Sequence, residues 1–229
     1  MGKYKYLLWD VDGTVFDFHA SEAIAIRTLF KKYGFGECTD EMIETYKAIN
    51  AKYWQALERG EIIKSEVLTG RFREFFETVN LDATKAAEFN DDYQLSLGDT
   101  IFYCDDAKNL LISLKGRYIS AAVTNGTKAA QENKLRNSGL DKVFDYIFIS
   151  EEVGAEKPNV AFFQNVVDVV GIKNKSEALI IGDSLTSDIR GGNNIGIDTC
   201  WYNNTSRPKN IDVTVNYEIG DLHELLKII

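Results

Sequence analysis

Apolar positions along the chain follow two different periods, and the change between them sets out the fold. A short aromatic-rich run, Tyr6–Trp9, reads as a buried strand that stops at Asp10, Asp12 and Gly13. From about Phe18 to Leu97 the spacing is helical and no strand pattern intervenes. Ser21–Tyr33 sets Ile26, Leu29, Phe30 and Tyr33 at helical spacing before Gly34, and Asp40 opens a second helix to about Leu57. Ser65 opens a third with Leu68, Phe72, Phe75, Phe76 and Val79 as its apolar face, and Asp82 begins a fourth. From about Asp99 helices alternate with short apolar strands. Helices near Asp105–Leu114, Lys128–Ser138, Pro158–Val170 and Ser187–Asn194 lead in turn to strands Tyr118–Val123, Tyr146–Ile149, Ala178–Ile181 and Thr199–Tyr202. Asp221–Ile229 reads as a closing helix.

Such alternation predicts an α/β fold, a Rossmann-like doubly wound parallel sheet covered by helices on both faces. The helical block is then an insertion after the first strand. The expected domains are a core of residues 1–16 and 98–229 and an inserted helical domain of residues 17–97.

The composition, 45% hydrophobic and 27% charged, is that of a globular protein with a sizeable core. A net charge of -9, with no basic run, argues against nucleic acid or an anionic membrane as partner. Cys38, Cys104 and Cys200 are scattered and form no CxxC pair, which predicts neither a disulfide framework nor a zinc site and fits a reducing cytoplasm. No apolar run approaches membrane-spanning length, and the first strand begins too early for a signal peptide to precede it. The expectation is a cytoplasmic protein, monomer or homodimer.

In open parallel sheets ligands bind beyond the carboxyl ends of the strands. Three strands here stop at polar clusters: Asp10-Val11-Asp12-Gly13-Thr14, Thr124-Asn125-Gly126-Thr127, and Gly182-Asp183-Ser184 with Asp188. Alternation along an extended chain points Asp10 and Asp12 the same way, and like charges that close call for a cation. An Asp-Gly turn without chemistry is the plain alternative. A calcium loop is excluded, because Thr14, Val15 and Ser21 stand where that pattern needs an acid or amide, a glycine and a glutamate. The Thr124 hydroxyl, the Asn125 amide and the backbone N–H groups at a helix start suit a phosphate oxygen. Asp183 and Asp188 could equally cap the following helix, but facing Asp10 in this topology they point to a shared Mg2+ site completed by substrate oxygens. Lys157, just before Pro158, reads alone as a solvated surface charge, and beside these carboxylates and a phosphate it is the expected balancing cation.

These four elements, in this order and with an insertion after the first, resemble the haloacid dehalogenase superfamily of phosphotransferases. The match covers essentially the whole chain. Within it, Val123-Thr124-Asn125-Gly126 followed by Gln131, Leu135, Arg136 and Gly139-Leu140, together with Ile180–Ile189, Gly191-Gly192 and Gly196–Trp201, is similar to the pyrimidine 5′-nucleotidase group of the YjjG and YfnB type. The resemblance implies a Mg2+-dependent phosphatase acting on a small phosphorylated metabolite, a nucleoside 5′-monophosphate including deoxy and noncanonical pyrimidine forms.

It implies Asp10 as nucleophile and Asp12 as general acid and base. Mg2+ is then held by Asp10, the Asp12 backbone carbonyl and Asp183; phosphate is bound by Thr124, Asn125 and Lys157, and Asp188 supports the metal waters or Lys157. Rival activities in the superfamily separate on the same residues. A dehalogenase lacks the second acid, Asp12; a phosphosugar mutase shares both acids; a noncatalytic binding protein is expected to have lost Asp10 or Asp183. Phosphatases of sugar phosphates share the whole set. The helical insertion is expected to act as a cap that selects the leaving group. Phe18, Tyr46, Tyr53 and Trp54 are aromatic candidates for stacking on a base, but core packing is the expected role of each.

Overall fold

In the computed structural model, which describes residues 2–229, the chain divides into two compact units. One comprises the residues up to Phe18 together with Ile101–Ile229, the other His19–Thr100. Met1, the first residue of the expected core domain, lies outside the described residues.

The first unit is built on six strands: β1 Tyr6–Trp9, β2 Ile119–Thr124, β3 Tyr146–Ile149, β4 Ala178–Gly182, β5 Asp198–Tyr202 and β6 Tyr217–Ile219. All pair in parallel in the order β3-β2-β1-β4-β5-β6. Side-chain alternation divides β1 between two cores. Leu7 and Trp9 join Ala122, Leu179, Ile181 and Cys200 against α5 (Ala107–Leu114), whereas Leu8 joins Val123, Phe148 and Ile180 against α8 (Val160–Val170). With helices on both faces, β1 and β4 at the middle of the sheet are unbroken apolar runs. The chain leaves β1 for β2 and β3 on one side and then crosses to β4 on the other. Strand order therefore reverses at β1, and a crevice opens beyond its carboxyl end.

The second unit contains α1 (Phe18–Tyr33, whose first residue belongs to the sheet unit), α2 (Asp40–Glu58), α3 (Lys64–Thr78) and α4 (Ala86–Asp99). Its core is aromatic: the Phe72 ring lies 4.9 Å from that of Tyr46 and 5.0 Å from those of Phe89 and Tyr93. Tyr46 is fully buried there, so packing is its role, and Tyr53 and Trp54 are half-buried.

Local differences from the expected elements have local causes. Pro158 does not start α8. Asn159 caps it instead, accepting from the Ala161 N–H at 2.8 Å, and the Lys157–Pro158 peptide bond is cis. Asp82 caps a single 3-10 turn, Ala83–Lys85, ahead of α4. The expected Ser187–Asn194 helix is a π-helical turn, Leu185–Ile189, running into α9 (Arg190–Ile195), and the C-terminal helix is 3-10 over Leu222–Lys227. Strand β6 was not expected: three residues after a long polar loop are too short to display a period.

Candidate active site

The ends of β1, β2 and β4 bring the sequence-predicted residues of the sheet unit together. Asp10, Asp183 and Asp188 each place a carboxylate oxygen within 4.8 Å of the others. Lys157 reaches into this group from the segment before α8. Its ammonium donates to Asp10 Oδ1 at 2.6 Å, to Asp188 Oδ1 at 2.7 Å and to the Val123 carbonyl at 2.9 Å, which uses all three of its donors.

Asn125 holds that lysine in place. Its amide donates to the Lys157 carbonyl at 2.9 Å and accepts from the Lys157 N–H at 2.8 Å, so the amide expected at a phosphate oxygen is engaged at both ends by the backbone of one residue. Thr124 Oγ1 accepts from the Gly126 N–H at 3.0 Å, which leaves its O–H to donate to another acceptor. Asp188 is also committed twice, through Oδ1 to Lys157 and through Oδ2 to the Ser184 N–H at 3.1 Å.

The electrostatics show a shortage of positive charge. Burial raises the Asp10 carboxyl, to about 7, and the neighbouring Asp188 adds to the rise while Lys157 opposes it. Burial raises Asp188 as well, again against Lys157. Burial alone lowers the Lys157 ammonium, but Asp10 and Asp188 together outweigh that effect and hold it above its ordinary value. Two of the three carboxylates, Asp10 and Asp188, thus share one ammonium.

The donor set fits a hard divalent cation. The ligand atoms are carboxylate oxygens, which magnesium prefers, and Asp10 Oδ2 is buried with no hydrogen-bond partner. Gly13, with φ at +92°, runs beneath the group, where an added Cβ would come within 2.8 Å of Asp183 Oδ1. The bend at Gly13 keeps the backbone clear of that carboxylate.

Asp12 takes different partners from Asp10. Its Oδ2 accepts from Gln131 Nε2 at 2.6 Å and its Oδ1 from the Lys134 ammonium, both on α6 (Lys128–Ser138). The strand ends at Trp9, so an alternation counted onward from it no longer fixes where Asp12 points.

A family model for haloacid dehalogenase-like hydrolases matches residues 7–202, from β1 to the end of β5. The chain belongs to this family. HAD-hydrolase YfnB of Bacillus subtilis is 37% identical over 229 residues, covering 100% of this chain and 97% of YfnB. A crystal structure of YfnB bound to magnesium, for which interdomain movement is described, superposes with a TM-score of 0.92 over 99% of this chain and 98% of that one. Pyrimidine 5′-nucleotidase PynA of Streptococcus pneumoniae is 36% identical over 97% of this chain and 94% of its own length. Pyrimidine 5′-nucleotidase YjjG of Escherichia coli is 30% identical over 99% and 98%.

Around this haloacid dehalogenase-like core stand four residues to which sequence reasoning gave no role in the chemistry. Gln131 and Lys134 on α6 meet Asp12. Arg207 donates to the Asp183 carbonyl at 2.9 Å and lies 3.5 Å from its carboxylate, while Trp201 Nε1 donates to the same carbonyl at 2.9 Å. Residues 131 and 134 share a helix face, but that spacing alone does not point to Asp12, and Arg207 sits in a loop with no pattern. Among the described residues no helix is long and apolar enough to cross a membrane.

Proposed function

We propose that the chain is a Mg2+-dependent phosphatase that hydrolyses nucleoside 5′-monophosphates, chiefly pyrimidine ones including deoxy and noncanonical forms, through an aspartyl phosphate on Asp10. The observation that carries this is the buried Asp10, bonded through one oxygen to Lys157 and partnerless at the other, beside Asp183 and Asp188. The choice of substrate rests on the near full-length similarity to two pyrimidine 5′-nucleotidases.

Asp10 attacks phosphorus, the bond to the leaving oxygen breaks, and Asp12 gives its proton to that oxygen. Asp12, now a carboxylate, takes a proton from the water that attacks the aspartyl phosphate, releasing inorganic phosphate and restoring both acids. Lys157 keeps positive charge beside Asp10, Thr124 offers its hydroxyl to a phosphoryl oxygen, and Asn125 acts by fixing the Lys157 peptide. Asp10, Asp183 and the Asp12 carbonyl would hold the metal, and Asp188, already bonded to Lys157 and Ser184, supports the site from behind. Magnesium, when bound, supplies the charge that offsets repulsion between Asp10 and an anionic substrate. The helical unit is assigned the part of a cap that selects the leaving group, since the groups of the sheet unit all address phosphate and metal. The chain is read as cytoplasmic, with a small-molecule partner and no nucleic acid or membrane.

The test is inorganic phosphate release from nucleoside monophosphates and sugar phosphates, with Mg2+ or a chelator, alongside Asp10→Asn. Pyrimidine monophosphates should lead, the chelator should stop the reaction and the variant should be inactive. Sugar phosphates in the lead would overturn the substrate class and leave the chemistry standing; activity in Asp10→Asn would overturn the chemistry.

A further inference from the structure

Gln131 and Lys134 lie three residues apart on α6 and converge on one carboxylate. Gln131 Nε2 takes Asp12 Oδ2 at 2.6 Å and the Lys134 ammonium takes Oδ1, so each oxygen has its own donor. Both side chains are essentially fully buried, whereas Asp12 is partly exposed. A buried lysine on a helix of otherwise polar sequence needs a reason, because desolvating an ammonium is costly unless a partner repays it. The Lys134 ammonium also lies 5.5 Å from the Phe16 ring centroid and 5.7 Å from that of Phe18, rings that exclude water on its far side.

The backbone is shaped to allow this approach. Thr127 caps α6, accepting from the Ala130 N–H at 3.3 Å, and so fixes where the helix begins. At Gly126 an added Cβ would lie 2.1 Å from Gln131 Nε2, so a side chain there would push the amide off its line to Asp12. Gln131 Oε1 is buried with no hydrogen-bond partner, and the amide is thus held in a pose that satisfies Asp12 and leaves its own oxygen unpaired. Such a cost is expected where a group is placed for the benefit of another.

We propose that Gln131 and Lys134 are positioning residues for proton transfer by Asp12, an inference that rests on the general acid–base part assigned to Asp12 above. As the phosphorus–oxygen bond breaks, the proton moves from Asp12 to the leaving oxygen and negative charge appears on the carboxylate. Lys134 stabilises that charge in a site screened from water, and Gln131 fixes the rotation of the carboxyl group. Neither residue touches the phosphoryl group. Their contribution therefore depends on how much the leaving group needs a proton.

That dependence supplies the test. A nucleoside 5′-monophosphate leaves as a basic alkoxide, whereas p-nitrophenyl phosphate leaves as a stable phenolate. Lys134→Met should lower kcat for the nucleotide by about ten- to a hundredfold, a part of the 10²–10⁴ that positioned proton transfer contributes, with KM little changed, and lower kcat for p-nitrophenyl phosphate by less than about threefold. Gln131→Met should show the same pattern at smaller size, and Lys134→Arg should recover part of the loss. In an Asp12→Asn background Lys134→Met should have no further effect on the nucleotide reaction, the signature of residues acting through one another.

Equal losses on the two substrates, or a full further loss in the Asp12→Asn background, would overturn the proposal and leave Lys134 a structural residue. If Asp12→Asn itself falls equally on both substrates, the acid–base part of Asp12 is refuted and this inference with it. Thermal melting identifies any variant that does not fold, and Gln131→Met, which removes no charge, then carries the comparison.

Discussion

The helical unit contains a buried polar network that takes one or more residues from each of its four helices, and removing its cation should loosen that unit while sparing the sheet. Arg71 on α3 donates to Asn50 on α2 at 2.8 Å and to Asn90 on α4 at 3.2 Å. Asn50 passes the connection on to Glu22 on α1 at 3.1 Å, and Tyr93 donates to the same Glu22 oxygen at 3.3 Å. Glu22 and Arg71 are essentially fully buried, and the guanidinium lies 5.1 Å from the Phe72 ring centroid and 5.2 Å from that of Tyr93. Arg71→Met keeps most of the volume, so no large cavity term applies. It removes two hydrogen bonds from a charged donor, each worth about 1.5–3 kcal/mol, and leaves the buried Glu22 carboxylate without the cation of its network. We expect about 2–3 kcal/mol once the gain of about 1.5–3 kcal/mol from burying the methionine is set against it. Hydrogen exchange followed by mass spectrometry reads this by segment: protection should fall within His19–Thr100 and hold in the strands β1, β2 and β4. The double variant Glu22→Leu/Arg71→Met, which leaves no charge stranded, should regain part of the loss. An Arg71→Met within about 0.5 kcal/mol of the parent, the range of ordinary surface changes, would refute this reasoning, as would a double variant weaker than the single one.

Two further outcomes follow from the site and the core. Gly13→Ala adds a Cβ within 2.8 Å of Asp183 at a φ of +92°, so the Mg2+ concentration for half-maximal phosphate release should rise by about tenfold, the lower end for disturbed metal supports; an unchanged requirement would show that Asp183 is not part of the metal site. Burial pushes the thiols up, to about 11 for Cys38 and about 12 for Cys104 and Cys200, so at pH 8 the folded protein should react with Ellman's reagent far more slowly than the protein in guanidinium, where all three cysteines react; rapid labelling of the native chain would contradict the packing.

What the sequence disclosed was whatever leaves a period or a punctuation mark. Tyr6–Trp9 and Ala178–Ile181 are unbroken apolar runs because both faces of the sheet are covered, and their ends are marked by acids that cannot continue inward. Residues of the sheet-end clusters could be placed together because a parallel sheet puts every strand's carboxyl end on one side. Partners that join elements across the fold were silent. Arg71 sits beside Phe72 in a helix whose other apolar positions read as an ordinary core face, so nothing in the spacing tells a buried guanidinium from one at the rim. Lys134 lies on a helix of mostly polar composition, where a lysine reads as solvent-facing until Asp12 is seen opposite it. The bonds of Asn125 to the Lys157 backbone likewise depend on a residue thirty-two positions away in sequence.

The balance of charge explains why a site this acidic can address an anionic substrate. Asp10 and Asp188 share Lys157, and Asp183 lies 3.5 Å from Arg207, which leaves one negative charge in excess until a divalent cation binds. A phosphate monoester approaching the apo site would meet net repulsion, and Lys157 cannot relieve it alone because its three donors already serve Asp10, Asp188 and the Val123 carbonyl. A bound divalent cation would turn that excess into one surplus positive charge beside Asp10, and the buried Asp10 carboxylate, already desolvated, would then attack without first shedding water. On this account metal binding comes before productive substrate binding. Equilibrium dialysis with a nonhydrolysable phosphonate analogue of a pyrimidine nucleotide should detect tight binding with Mg2+ and at least about tenfold weaker binding with a chelator, the coupling of about 1.4 kcal/mol that ordinary site-to-site linkage reaches. Equal affinity under both conditions would mean that the carboxylates do not govern access to the site.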